Sequence, residues 1–171
     1  DLPARSEQAA TVYEHCRRAV EHGLRWGQHG LPLMGSGDWN DGMNLVGEQG
    51  QGECVWLAFF LYDLLLRFVS IARIAEDEPF AERCIERAAA LRQNIEQHGW
   101  DGEWYRRAYL YGGEPLGSKT NAECQIDSLP QSWAVLSGGG EPGRARTAME
   151  AVDALLVVPE ARLIKLLTPP F

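Results

Sequence analysis

Residues 35–44 read GSGDWNDGMN, which sets two carboxylates, two amides and one indole among three glycines. Asp38, Trp39, Asn40, Asp41, Gly42 and Asn44 together offer acceptors, donors and a flat apolar face. A sugar ring demands that mixture, because its C–H face stacks on an indole and its hydroxyls need directional partners. The glycines let the backbone approach a ligand closely. The same composition also suits a tight turn in which Asp and Asn bond their own backbone, and residue type alone leaves both readings open.

Other chemistries fit less well. In an EF-hand register beginning at Asp38, Gly42 falls at position 5, Met43 at 6 and Gln49 at 12, so the calcium pattern fails. The chain contains no G-x-x-x-x-G-K-[ST] phosphate loop and no G-x-S-x-G nucleophile elbow. His15, His22 and His29 recur every seven residues, but seven helical residues rise about 10.5 Å, too far for two imidazoles to share an ion. They read as solvated helix positions, and no metal is expected.

The elements that must hold such a loop are mostly helical. Apolar residues from Ala9 to Val20 recur at helical spacing, predicting a helix over 6–29 with Ser6 as N-cap. A long apolar helix is expected over 53–76, with Asp63 and Arg67 at i, i+4. Pro79 opens a helix that Gly99 stops. Residues 100–120 alternate aromatic and polar types around Gly and Pro, which suggests an extended hairpin or excursion loop. A short helix over 130–137 and another over 142–156 follow, and ARLIKLL reads as a strand or extended tail. Helix, loop, helix is the layout of packed antiparallel helical hairpins, whose loops carry the function. The chemically dense loops are 35–53 and 100–133.

Composition bounds the setting. The chain has 171 residues and a formal net charge of −8. Its length suits one domain, and its charge argues against nucleic acid as a partner. The opening DLPARSEQ has neither an initiator Met nor a signal core, so a piece of something longer is expected. The window 54–72 is apolar enough to raise the question of a membrane. Its two internal charges would cost about 5–7 kcal/mol at mid-bilayer, which favours a core helix. Cys16, Cys54 and Cys84 read as helix-face or core positions and Cys124 as a loop position. With no C-x-x-C, four reduced thiols and a cytoplasmic setting are expected.

GSGDWNDGMN, GECVWLAFFL, DGEWYRRAY, PLGS and QIDSLPQSWAVLSG, in this order and at these separations, resemble glycoside hydrolase family 94, which contains inverting glycoside phosphorylases. The later segments, with the terminal LLTPPF, look most like the phosphorylase-like module of cyclic β-1,2-glucan synthases. The resemblance implies an all-α fold in which residues 1–171 form part of an (α/α)6 barrel, with a small extended excursion.

It also implies chemistry. Asp41 aligns with the family's general acid and Trp39 with a sugar-contacting aromatic beside it. The general acid protonates the glycosidic oxygen while phosphate attacks the anomeric carbon, giving α-glucose 1-phosphate with inversion. Inorganic phosphate is then a co-substrate, and no other cofactor is expected. Asp38 and the face of Trp39 are placed to raise the pKa of Asp41, although Asp38 also reads as a turn or N-cap residue.

In the second loop Glu123, Gln125, Asp127, Ser128 and Gln131 are candidate hydroxyl or phosphate partners, Ser128 being the phosphate candidate. The cellobiose branch carries a phosphate-binding histidine that IDSLPQSW lacks. Arg106, Arg107 and Lys119 are candidate replacements for its charge, each with a competing reading as a solvated loop cation. Trp100, Trp104 and Trp133 divide between sugar contact and packing, Trp104 being the stronger sugar candidate. Glu53 reads as a helix N-terminal charge. The expected partners are a β-glucan oligosaccharide, phosphate, the rest of a parent polypeptide and a homo-oligomer of the chain itself. The expected location is the cytoplasmic part of an inner-membrane synthase. Competing readings are a noncatalytic glucan-binding or structural remnant and an inverting glucan hydrolase.

Overall fold

The computed structural model describes residues 7–35 and 41–171, Asp41 by its backbone alone. The described residues are predominantly helical, with short two-residue strands. Helix α1 spans Val12–Gly23 and opens on Thr11, whose side chain accepts from the Glu14 N–H while the Glu14 carboxylate accepts from the Thr11 N–H. This reciprocal capping box fixes the start of α1 and corrects the expected 6–29 span. The helix stops at Gly23, so His29 is not on it.

Helix α2 (Val55–Ile74) is the central rod, burying Val55, Ala58, Phe59, Leu65 and Ala72. By length and composition it is the one described helix able to cross a membrane. Here it packs against α3 (Glu78–Asn94) and α4 (Ser128–Leu136), and α4 packs against α5 (Pro142–Leu156). Short connections fold α3 back on α2 and α5 back on α4 as hairpins, and α4 joins the two pairs by packing on α2. The Asp63–Arg67 ion pair forms, with Nε–Oδ2 at 2.8 Å. Asp77 caps α3 through the Phe80 N–H and also accepts from the Tyr13 hydroxyl, tying α1 to α3. Glu141 caps α5 through the N–H groups of Gly143 and Arg144.

Strands gather at the ends of the helices where the two dense loops lie. β1 (Glu53–Cys54) pairs antiparallel with β2 (Ala108–Tyr109), and β2 with β3 (Pro115–Leu116). β4 (Ile126–Asp127) runs antiparallel to β7 (Leu167–Thr168), and β5 (Val157–Val158) to β6 (Leu163–Ile164). A second hydrophobic cluster forms beneath this layer from Met34, Met43, Val46, Cys54, Trp56, Ala108, Leu116 and Cys124. Cys124 is thus a core residue rather than a polar-loop one. All four cysteines are free, and only Cys16 is exposed.

Candidate functional site

The stem of the 35–53 loop is fixed by backbone bonds. The Met34 N–H donates to the Gly52 carbonyl at 3.0 Å and the Cys54 N–H to the Pro32 carbonyl at 3.0 Å. Within the loop a 3-10 turn spans Asp41–Gly47. Met43 and Val46 of this turn are buried in the second cluster and anchor it. A Cβ at Gly47 would strike the Gly35 carbonyl, and one at Gly52 the Val46 carbonyl. Glycine is required at both because two stretches of backbone touch there. Asp38, Trp39 and Asn40 lie outside the described residues, as does the Asp41 side chain, so the structure fixes only the frame that presents them.

The second loop approaches that frame through Arg107. The sheet holds its backbone, since its N–H donates to the Leu116 carbonyl and its carbonyl accepts from the Val55 N–H. Its side chain is fully buried, with Nε 3.2 Å from Asp127 Oδ2 and one terminal nitrogen 3.1 Å from the Cys54 Sγ. Asp127 also N-caps α4, accepting from the Leu129 N–H at 2.8 Å. The reading of Arg107 as a solvated loop cation is therefore corrected, because a partner twenty residues away neutralises it in the interior. Burial pushes the Cys124 thiol up to about 12, with the Asp127 carboxylate adding to the shift.

Several other candidates have their polar atoms engaged with backbone. Gln131 is buried, accepts from the Tyr105 N–H at 2.8 Å and donates to the carbonyls of Tyr105 and Asp127. The Trp104 indole is buried and donates to the carbonyls of Gly117 and Gln125. Gln125 donates from its side chain to the Asn121 carbonyl. Glu123 is exposed, and Ser128 begins α4 half-buried, its N–H donating to the Leu166 carbonyl. Trp100 stacks edge-on against Tyr105, and Trp133 edge-on against Phe60. Lys119 is exposed, 4.0 Å from Glu103.

A second polar network was not legible in the sequence. Residues 25–33 form a tight hairpin, with the Leu33 N–H bonded to the Arg25 carbonyl and the Gly27 N–H to the Leu31 carbonyl. Glu53 is buried and accepts from the N–H groups of His29 and Leu31, while its other oxygen meets the His29 Nδ1. It is thus the anchor of this hairpin rather than a helix N-terminal charge. His29 is half-buried and stacks on Tyr109 with ring centroids 3.9 Å apart, which corrects its reading as a solvated helix residue. The Tyr109 hydroxyl donates to the His98 carbonyl and accepts from Arg106, and Arg106 pairs with Asp101 at 2.7 Å. Arg106 is therefore locked in place, not solvated. Burial, helped by the neighbouring His29, holds the His98 pKa below the usual histidine range. The signal available in the sequence was Glu53 at the start of an apolar run, where a carboxylate either faces water or is paired.

Residues 2–171 match the glycosyl hydrolase 94 superfamily, catalytic domain, and the chain belongs to that family. Within it, the chain is 48% identical over 169 residues to cyclic beta-(1,2)-glucan synthase NdvB of Rhizobium meliloti (strain 1021), covering 98% of this chain and 6% of that protein. It is 40% identical over 172 residues to solabiose phosphorylase of Paenibacillus borealis, covering 99% of this chain and 22% of that enzyme. It is also 32% identical over 161 residues to N,N'-diacetylchitobiose phosphorylase of Vibrio proteolyticus, covering 92% of this chain and 20% of that enzyme. The chain thus spans about a fifth of the phosphorylases it matches and much less of the synthase.

Proposed function

We propose that this chain is part of the catalytic module of an inverting β-glucan phosphorylase of the kind associated with cyclic β-1,2-glucan synthesis, with Asp41 as general acid. The observation that carries the reading is the family match over residues 2–171, which takes in the DWND stretch, together with 48% identity to a cyclic β-(1,2)-glucan synthase. The helical hairpins supply one part of an (α/α)6 barrel, and the rest of a parent polypeptide completes it. The four free thiols support a cytoplasmic location.

The chemistry needs one protein carboxyl. A phosphate oxygen attacks the anomeric carbon from the face opposite the glycosidic bond, and that bond breaks. Asp41 gives its proton to the departing oxygen, and the products are α-glucose 1-phosphate and a shortened glucan. Trp39 stacks on the sugar, with Asp38 and Asn40 beside it. Ser128 at the start of α4 is the phosphate candidate, next in sequence to Asp127, the partner of buried Arg107. An inverting hydrolase would instead need a second carboxylate about 6.5–9.5 Å away to activate water.

The test is to incubate the chain, and separately a longer protein that contains it, with β-1,2-gluco-oligosaccharide and inorganic phosphate and to assay α-glucose 1-phosphate. Product that disappears in Asp41→Asn supports the reading. Reducing-sugar release without phosphate identifies a hydrolase, and binding without turnover in both proteins identifies a noncatalytic module.

A further inference from the structure

Three hollows meet at one side chain outside the 35–44 loop. Trp26 lines a hollow of about 200 Å³ with Gln28, Gln51, Glu53 and Tyr111. It lines a second of about 260 Å³ with Gly30, Arg87 and Asn94, and a third of about 290 Å³ with Phe80, Arg83 and Arg87. At about 30 Å³ per water, each holds roughly six to ten waters, room for a pyranose ring rather than an ion.

The indole is presented rigidly. Trp26 is half-buried, packed on the main core, and bridged to Pro32 across the 25–33 hairpin. The bonds from this hairpin to Glu53 and the stacking of His29 on Tyr109 hold it against the β1–β2 sheet. Two glycines lie against amides of the lining: a Cβ at Gly30 (φ +65°) would strike the Asn94 amide, and one at Gly113 (φ +87°) the Gln28 amide.

The groups around the indole favour a neutral polyol. Gln28 and Gln51 offer amides, the Asn94 amide N–H is held by the Gly30 carbonyl at 3.0 Å and leaves its oxygen as the acceptor, and Tyr111 is 51% exposed. The nearby charges are mostly committed, Glu53 to His29 and Arg83 to Glu21 at 2.9 Å. Arg87 has no ion pair among the described residues, and its fork of donors suits vicinal hydroxyls. The 200 Å³ hollow includes Gly50 and Gln51, which belong to the same loop as the DWND stretch.

We propose that this trough is a second, noncatalytic site for a neutral β-gluco-oligosaccharide, with Trp26 as its stacking platform and Tyr111, Gln28 and Gln51 at its catalytic-loop end. The proposal rests on the carbohydrate reading above. A chain seated here ends against Gly50 and Gln51, in the loop that also carries Asp41.

The test is a titration of the 171-residue chain, labelled with 5-fluorotryptophan, with linear β-1,2-gluco-oligosaccharide, the Trp26 resonance being assigned through Trp26→Phe. A saturable shift of that resonance, retained in Trp39→Ala and weakened about five- to tenfold in Tyr111→Ala, is the expected result. Tyr111 is exposed, so its replacement leaves the fold intact. A Trp39 shift with no Trp26 shift overturns the trough and leaves the catalytic reading standing. Silence of both resonances overturns the trough, and the catalytic reading is then decided separately by the α-glucose 1-phosphate assay on the longer protein. A response of Trp26 to inorganic phosphate but not to oligosaccharide also overturns the proposal.

Discussion

The guanidinium of Arg107 and the carboxylate of Asp127 face each other at 3.2 Å with no solvent exposure on either side chain. Breaking a buried ion pair from one side is costly, whereas replacing both partners with apolar groups is often tolerated. Asp127→Ala should lower unfolding free energy by about 3–5 kcal/mol. Arg107→Met combined with Asp127→Leu should cost clearly less than either change alone. Urea denaturation of Asp127→Ala, the two single changes and the double variant checks this. Equal or additive losses would mean that the pair is not the coupled unit described.

The attachment of the 25–33 hairpin to Glu53 gives a second test. Glu53→Ala removes the acceptor for the N–H groups of His29 and Leu31 and should cost about 2–3 kcal/mol. The melting temperature should fall by roughly 4–12 °C for a chain of this size. Amide exchange at His29 and Leu31 should accelerate more than at α5, and an even increase across the chain would contradict a local anchor.

The lowered pKa of His98 makes stability depend on pH with a definite sign. Burial, aided by His29, disfavours the charged ring in the fold, so the unfolded chain binds the proton first. The contribution of His98 is full above the unfolded value of about 6.5 and is lost as pH falls from there through the lower folded value. Melting temperature should therefore drop between pH 7.5 and pH 5.5, and the drop should shrink in His98→Gln. An unchanged slope in that variant would assign the effect to another group.

Two glycines separate backbone strain from steric contact. Gly117 (φ +79°) and Gly138 (φ +65°) both occupy the left-handed region, but a Cβ at Gly117 would strike the backbone of Arg107, while one at Gly138 meets nothing within 4 Å. Gly138→Ala should cost about 1–2 kcal/mol, the price of that conformation alone. Gly117→Ala should cost more and shift the Arg107 resonances. Similar losses at the two positions would mean that strand β3 yields easily.

The helical frame was largely legible in the sequence because long apolar periodicity survives any tertiary context. The expected 142–156 helix coincides with Pro142–Leu156, and the 53–76 expectation contains Val55–Ile74. What failed depended on partners distant in sequence. Strands of two residues carry no periodicity, so the pairing of Glu53 with Tyr109 could not be read. Arg107 looks like a loop cation until Asp127 and Cys54 close over it. His29 follows the heptad of His15 and His22 in number only, because α1 ends at Gly23. Of the candidate site, the chemistry of residues 38–41 came from the motif and its resemblance, and the structure contributes the frame around it.

The bond between Met34 and Gly52 has a consequence for replacement of the segment between them. It closes the segment at its base, while Met43 and Val46 sink the same segment into the second cluster, so the loop is held at its stem and again along its length. Replacing residues 35–51 as one block should therefore keep the melting temperature only where the residues standing at 43 and 46 stay apolar and the one at 47 stays glycine.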